Sequence, residues 1–317
     1  MSIGAKLQPI IILVTALLGL FLGNFTQLGN ISTIFVEIFL MALLYVLFVT
    51  VDLKQQKKAL KNIKYTLTSV LINFILTPII AYLLGIIFFP NSIEIRIGLL
   101  MLLVTPCTDW YLVFTGLSKG NVELNIAILP INLFLQILLM PVYLYIFIGS
   151  QIQMDIANIL QDMLFVLLVP IILAVLTNLI CKRKLKAKEW IVNKSDNLQL
   201  VFLCLAVFVM FASKGTSLFD NSSLLIKLFV PLIIFFLLLF FISQLVGRLL
   251  KFAKRDIVAL NFTTLARNSP LSLAIAVVAF PSYPLVSLAL VIGPLIELPI
   301  LSLISHILLK WNIKEEN

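Results

Sequence analysis

The sequence predicts an all-α membrane protein with ten transmembrane helices, arranged as two inverted repeats of five helices each. Three observations lead to this prediction: apolar residues dominate, basic residues collect on alternate connections, and two helices in matching positions are interrupted by proline. Of the 317 residues, 62% are hydrophobic and only 12% are charged, whereas a soluble domain has about 45–50% apolar and about 25% charged residues. This composition excludes a soluble globular domain, a disordered chain, collagen and a disulfide-rich scaffold.

The number of helices follows from the apolar content, because a helix needs about 20 residues to cross the hydrocarbon core of a bilayer. The chain has about 197 hydrophobic residues, which gives a first value of about ten helices. Transmembrane strands are excluded because runs such as PLIIFFLLLFF do not alternate between apolar and polar positions. The predicted helices cover residues 8–27, 31–51, 65–89, 95–118, 122–148, 157–180, 195–213, 222–247, 255–280 and 285–309.

The basic residues predict the orientation, since Lys and Arg are enriched in cytoplasmic connections. Of 23 such residues, 19 fall at the two termini or in connections that follow even-numbered helices, and three fall on the other side. We therefore expect both termini in the cytoplasm and a multi-pass location in the plasma membrane. The net charge of +9 reports this topology, and no nucleic acid is expected as a partner.

The ten helices divide into a first repeat, residues 1–150, and a second repeat, residues 151–317. Because each repeat has an odd number of helices, the second copy enters the membrane from the opposite side. The fourth helix contains TPCTD at 105–109 and the ninth contains ARNSP at 266–270, both near the middle of the bilayer. A proline kink without a role explains either break alone, but broken helices at matched positions indicate a transporter's binding site.

Pro106 and Pro270 are the predicted helix-breaking residues, and charged residues lie beside both of them. A charge in hydrocarbon is costly, so it needs a partner or a function. Asp109 and Arg267 form an ion pair if the two broken helices cross. Such a pair is either a permanent structural lock or a switch in which substrate or a proton competes for one partner. The sequence leaves both interpretations open.

Glu297 lies at a similar depth in the tenth helix, within GPLIELP. Since burial disfavours the charged form of a carboxyl group, Glu297 is a candidate proton carrier; a hydrogen-bonded glutamate that fixes helix packing is the alternative. Asn132 and Gln136 lie at the matching depth of the fifth helix. They either extend the polar lining or hold helices together. Glu37, about two turns into the second helix, is interpreted as structural.

Cys107 directly follows Pro106 in the first break. A soft thiolate is a good ligand for soft cations and metalloids, although many cysteines in membrane helices only fill space. We expect no resident metal or cofactor, because His306 is the only histidine and no phosphate-binding loop or HExxH motif occurs. Energy for transport must therefore come from an ion gradient, the membrane potential or a partner ATPase.

The stretches TPCTDWYLVFTGLSKGN, ARNSPLSLAIA and VIGPLIELPIL resemble the bile acid:sodium symporter superfamily, and within it the arsenical-resistance permeases. The resemblance covers the whole chain. It implies a core domain with two broken, crossing helices, the fourth and the ninth, a panel domain, and alternating access by their relative movement. It also implies that the essential cysteine of the fourth helix is Cys107 and that the acidic residue of the GPLIELP-like motif is Glu297.

The chain departs from this resemblance in the ninth helix. Arsenite permeases carry an Asn-x-Glu element there, whereas residues 270–272 contain no acidic residue. Sodium-coupled members carry a glutamate where this chain has Thr263 or Thr264, and an uncharged residue at the position of Arg267. A guanidinium group at that position repels a sodium ion or stands in for one, which argues against sodium coupling. We therefore expect a divergent member.

The leading functional prediction is a secondary transporter, not an enzyme, that exports arsenite or a related small metalloid in exchange for protons. The alternative is an organic-anion transporter, with or without sodium coupling, in which Arg267 and helix N-termini hold a carboxylate. The expected partners are a small-molecule or ion substrate and the bilayer, and the oligomeric state stays open. Asp109 and Glu297 are the candidates for coupling. The predicted substrate-binding residues are Cys107, Thr108, Asp109, Arg267, Asn268, Ser269 and Glu297.

Overall fold

The computed structural model shows helices and their connections throughout the residues that it describes, and no strand occurs among them. One isolated β-bridge joins two connections. The described residues are 11, 14–15, 17–19, 21–23, 34–50, 62–108, 110–149, 156–180, 194–195, 197–209, 211–212 and 222–314.

The helices begin and end close to the predicted limits where the sequence is continuously apolar. The segments predicted at 122–148 and 157–180 agree with the observed helices within one residue, whereas those at 95–118 and 255–280 each contain two helices. The elements are α1 Ile34–Thr50, α2 Ile63–Leu71, a π-helical segment Ile72–Leu76, α3 Thr77–Phe88, α4 Ile93–Leu103, α5 Trp110–Leu117, α6 Val122–Ile148, α7 Ile156–Ile180, α8 Asn197–Val209, α9 Ser222–Lys227, α10 Phe229–Leu249, α11 Lys254–Leu265, α12 Ser269–Ala279 and α13 Pro284–Lys314.

Several helices present an apolar outer surface, as expected for contact with lipid. Within the described residues, four helical stretches are long and apolar enough to cross a membrane: Ile63–Phe88, Val122–Ile148, Phe229–Leu249 and Pro284–Trp311. Large side chains on them, such as Phe134 on α6 and Phe241 on α10, are each 63% exposed. Exposed apolar surface on this scale indicates a hydrophobic environment around the helices.

The chain forms two compact units, each built from three segments. The first unit contains α1, which packs along α7, and the hydroxyl groups of Tyr45 and Thr177 lie 2.9 Å apart within it. The predicted repeats, 1–150 and 151–317, describe a different division of the chain and stay a prediction. The first unit is Met1–Val51, Met154–Leu225 and Pro270–Val291, and the second is Asp52–Gln153, Ile226–Ser269 and Ile292–Asn317.

A fully buried amide, Asn125, joins four helices of the second unit. Its Nδ2 donates to Thr115 Oγ1 at 2.8 Å and to the Ala259 carbonyl at 3.1 Å. Its Oδ1 accepts a hydrogen bond from the Tyr65 hydroxyl at 2.7 Å, and its backbone carbonyl accepts one from the Tyr111 hydroxyl at 2.7 Å. These bonds fix α2, α5, α6 and α11 to one another, so Asn125 orders the helices around the site described below.

Asn125→Leu is expected to lower the stability of the protein by about 2 kcal/mol, because it leaves the Tyr65 hydroxyl buried without its acceptor and removes the side-chain bonds to α5 and α11. Thermal unfolding of the purified protein in detergent measures the effect. Asn91→Leu is the matched control, since Asn91 is exposed in the turn between α3 and α4 and its loss should change little. Equal melting temperatures for the two variants would contradict the role assigned to Asn125.

Candidate functional site

The first break separates α4, which ends at Leu103, from α5, which begins at Trp110. Pro106 has no backbone N–H, and its ring disfavours helical geometry at the preceding residue, which favours an interruption of the helix at this point. Proline alone does not enforce a break, since Pro130 lies within the continuous helix α6. The Thr105 hydroxyl donates to the carbonyls of Met101 at 3.0 Å and Leu102 at 3.1 Å. This side chain therefore satisfies carbonyl groups that the end of a helix leaves without intrahelical donors.

The second break separates α11, which ends at Leu265, from α12, which begins at Ser269. Ala266 is extended, with φ of −71° and ψ of 138°. Pro270 lies in the first turn of α12, where a missing N–H has no cost because the first amides of a helix have no intrahelical partners. Both predicted interruptions are thus present.

The two breaks pair with each other through their backbones. The Cys107 N–H donates to the Ala266 carbonyl at 2.9 Å, and the Asn268 N–H donates to the Thr105 carbonyl at 2.7 Å. The bridge between Pro106 and the residue following Ala266 is antiparallel. Irregular backbone at membrane depth must find hydrogen-bond partners within the protein. Each break supplies them to the other.

Arg267 lies at the centre of this pairing and is only 2% exposed. Its Nη1 donates to the Leu103 carbonyl at 2.7 Å, and its Nε donates to the Leu265 carbonyl at 3.1 Å. Its Nη2 donates to the Thr264 carbonyl and to Asn73 Oδ1, the latter at 3.2 Å. The guanidinium group thus binds oxygen atoms from three segments of the chain.

An aromatic ring and a carboxylate complete the surroundings of Arg267. Its guanidinium carbon lies 5.3 Å from the centre of the Phe235 ring, within the range of a cation–π contact. Its backbone N–H donates to Glu297 Oε1 at 2.8 Å. Glu297 is 3% exposed, and Gly293 one turn earlier lets α13 approach α4, since a Cβ there would lie 2.7 Å from Leu102 Cδ1.

Cys107 is 5% exposed, and its Sγ accepts a hydrogen bond from the Trp110 N–H at 3.3 Å. An amide at a helix N-terminus that points at sulfur stabilises negative charge there. Thr108, Asn268 and Ser269 are also buried, at 2%, 4% and 4% exposure. Five of the seven predicted substrate-binding residues therefore lie at the paired breaks, and a sixth, Glu297 on α13, contacts the second break. The seventh, Asp109, and the side chain of Glu37 lie outside the described residues, so the Asp109–Arg267 pair stays a prediction.

Two buried amides extend from the breaks along α6. Asn132 and Gln136 are both fully buried. Asn132 Nδ2 donates to Thr263 Oγ1 at 3.2 Å, which connects α6 to the last turn of α11. Among the described residues, Asn132 Oδ1 and both amide atoms of Gln136 have no hydrogen-bond partner. Because a buried polar group without a partner is costly, these atoms are suited to contact a polar solute.

Asn73 is a site residue that the sequence analysis missed. It lies in the π-helical segment between α2 and α3, and besides accepting from Arg267 it donates to the Thr263 carbonyl at 3.1 Å. The Tyr143 hydroxyl donates to the carbonyl of Phe74 in the same segment at 2.6 Å. Single π-helical turns often occur at functional sites. The sequence signal that could have identified Asn73 is a single side-chain amide within an otherwise apolar run.

The comparison with known proteins places the chain in a family. Residues 37–221, more than half of the chain, match the model of the Sodium Bile acid symporter family. The chain belongs to this family. The resemblance predicted from the motifs is therefore confirmed. Together with the long apolar helices, membership of the Sodium Bile acid symporter family identifies a membrane transporter for small solutes or ions.

Relatives of this Sodium Bile acid symporter family member include two proteins that are named for arsenical resistance. An arsenical-resistance protein, Acr3, of Corynebacterium glutamicum is 24% identical over 320 residues, covering 93% of this chain and 86% of the relative. An Acr3 of Alkaliphilus metalliredigens is 23% identical and covers 84% of this chain and 78% of the relative. An uncharacterised transporter, slr0944, of Synechocystis is 24% identical and covers 86% of this chain and 77% of the relative.

Proposed function

We propose that this chain is a secondary active transporter that exports arsenite, or a related small metalloid, across the plasma membrane by alternating access. The backbone pairing of the two breaks is the observation on which the proposal rests. Through this pairing the Cys107 N–H binds Ala266, the residue before Arg267, and the Arg267 N–H in turn binds Glu297. All of these groups lie in one buried polar site. The two arsenical-resistance relatives support this choice of substrate.

We further propose ten transmembrane helices in two inverted repeats, with both termini in the cytoplasm. The hydrogen bonds between the breaks are reciprocal, since the residue after Pro106 and the residue after Arg267 each donate to the other break. An antiparallel pairing of two broken helices fits a pseudo-two-fold axis in the membrane plane, the arrangement of inverted repeats. The distribution of basic residues supports the orientation.

Cys107 is assigned to the substrate. A trivalent metalloid is a soft centre that prefers sulfur to oxygen, and the Trp110 amide beside Sγ stabilises the thiolate that such a centre binds. Thr108, Asn268 and Ser269 supply further polar groups in the same break region. Since one cysteine gives one sulfur ligand, the contact is transient, as transport requires.

Glu297 is assigned to proton exchange. Its Oε1 accepts the Arg267 backbone N–H, so the carboxyl group faces the break itself and can gain or lose a proton next to the substrate. In this scheme a proton enters Glu297 from outside as the metalloid leaves. Asp109 is the second candidate for coupling.

The contacts of Arg267 favour a fixed role over a switch. A guanidinium group that is bound to protein oxygens on three segments has little capacity left for a substrate carboxylate. The same contacts argue against the organic-anion alternative, which requires Arg267 to hold the anion.

Inside-out membrane vesicles from a host without its own arsenite exporter test the proposed function. An acidic vesicle interior should drive arsenite accumulation, and a protonophore should abolish it. Antimonite and several carboxylates, each with and without sodium, complete the comparison. Accumulation of a carboxylate but not of arsenite would favour the organic-anion alternative, and equilibration of arsenite without dependence on the pH difference would indicate a channel.

A further inference from the structure

Two helix C-termini meet at the paired breaks. α4 ends at Leu103 and α11 ends at Leu265, and the last carbonyl groups of each helix have no donors within the helix. These ends also carry the negative poles of the two helix dipoles. A cation between two such negative poles stabilises them inside a membrane, where no bulk water is present to screen them.

Arg267 lies between these poles. Its guanidinium group binds the terminal carbonyls of both helices, at Leu103 and Leu265, together with the Thr264 carbonyl and Asn73 Oδ1. These four oxygen atoms, the oxygen cage, come from α4, α11 and the π-helical segment. Carbonyl and amide oxygens at unwound helix ends are the ligands that transporters offer to a bound monovalent cation.

We propose that Arg267 is a built-in cation that occupies the oxygen cage permanently, so that this carrier works without a bound sodium ion. This inference rests on the proposed function only because it assumes a transport cycle. The four cage oxygens bind Arg267 whichever substrate is carried. In this position the guanidinium group of Arg267 neutralises the negative ends of α4 and α11.

The position of Arg267 is consistent with a resident group rather than a mobile one. The side chain is 2% exposed, and the Phe235 ring covers the guanidinium group. The backbone of the same residue pairs with the first break and donates to Glu297. Movement of the guanidinium group out of the cage would break bonds to three segments at once.

Removal of the side chain should therefore create a cation site. Arg267→Ala leaves the four cage oxygens in place and opens the volume that the guanidinium group filled. A monovalent cation or a small guanidinium compound that binds only the folded protein then raises its melting temperature in a saturable manner.

Thermal unfolding of the purified full chain in nanodiscs tests the proposal, with choline as the reference cation and sodium, potassium or methylguanidinium as probes. The parent should melt at the same temperature in sodium as in choline. Arg267→Ala should melt lower in choline and recover with sodium, potassium or methylguanidinium. Arg267→Lys keeps a cation and should stay insensitive to sodium. Arg248→Ala is the matched control, since Arg248 is exposed at the end of α10.

Two results would overturn the proposal. A saturable sodium effect on the parent would show that the cage does not already hold a cation, and this titration needs no variant, so it remains informative if Arg267→Ala does not fold. A folded Arg267→Ala that responds to none of the probes would reduce Arg267 to a packing residue. Arsenite export by the parent in sodium-free vesicles is measured separately, and its absence would count against the proposed function while leaving the thermal test intact.

Discussion

Cys107→Ser is expected to lower the initial rate of arsenite export at least about tenfold, which corresponds to about 1.4 kcal/mol or more. Serine preserves the size of the side chain and its contact with the Trp110 amide, but it replaces a soft sulfur with a hard hydroxyl oxygen that binds a metalloid poorly. Accumulation in inside-out vesicles, normalised to the amount of transporter, measures the effect. The protein should remain folded, because the backbone bond from Cys107 to Ala266 does not involve sulfur.

Cys204→Ser is the matched control for this change. Cys204 is a half-buried cysteine on α8, in the first unit, and its replacement should leave export unchanged. Equal export by the parent and the Cys107→Ser protein, at equal amounts in the membrane, would remove Cys107 from the substrate site.

Glu297→Gln should abolish the accumulation of arsenite that a pH difference drives, again by at least about tenfold. Glutamine retains an oxygen that can accept the Arg267 N–H, so the contact made by Oε1 persists while the exchangeable proton is lost. Export against a gradient should therefore fail although the protein binds arsenite. Arsenite-dependent thermal shift measures binding, and vesicle accumulation measures coupling.

The comparison of these two readouts separates the candidate roles of Glu297. A packing role predicts a lower melting temperature, with transport retained in proportion to the amount of folded protein. A proton-carrying role predicts an unchanged melting temperature with loss of proton-driven transport. Glu123→Gln, in the first turn of α6 where the carboxylate is exposed, is the control and should change neither readout. Proton-driven accumulation at the parental rate in Glu297→Gln would assign coupling to another group, of which Asp109 is the first to test.

The helices and their interruptions could be predicted because both have strong local causes. Continuous apolar runs define α6 and α7 to within a residue. Polar residues beside a proline, as at Pro106, favour an interruption, whereas Pro130 within an apolar run leaves α6 continuous. The burial of Arg267 and Glu297 also followed from sequence, since ionisable residues near the centre of apolar helices must be enclosed by protein.

The partners of these residues could not be predicted, because they depend on how separate helices meet. The contact of Glu297 with the backbone amide of Arg267, not with its guanidinium group, is set by the approach of α13 at Gly293. The π-helical segment at Asn73 is likewise stabilised by contacts from other helices, including the bond from Tyr143. A sequence pattern read along one helix contains no information about either.

Two of the hydrogen bonds between the breaks join peptide groups only, and this has an evolutionary consequence. Because the bonds donated by Cys107 and Asn268 use only main-chain atoms, substitution of the side chains at these two positions leaves these bonds intact. Selection can then alter the chemistry presented to the cargo, sulfur, amide or hydroxyl, without rebuilding the scaffold. If the proposed site is correct, the paired backbone of the two breaks and the chemistry of the substrate contact can therefore change independently of each other.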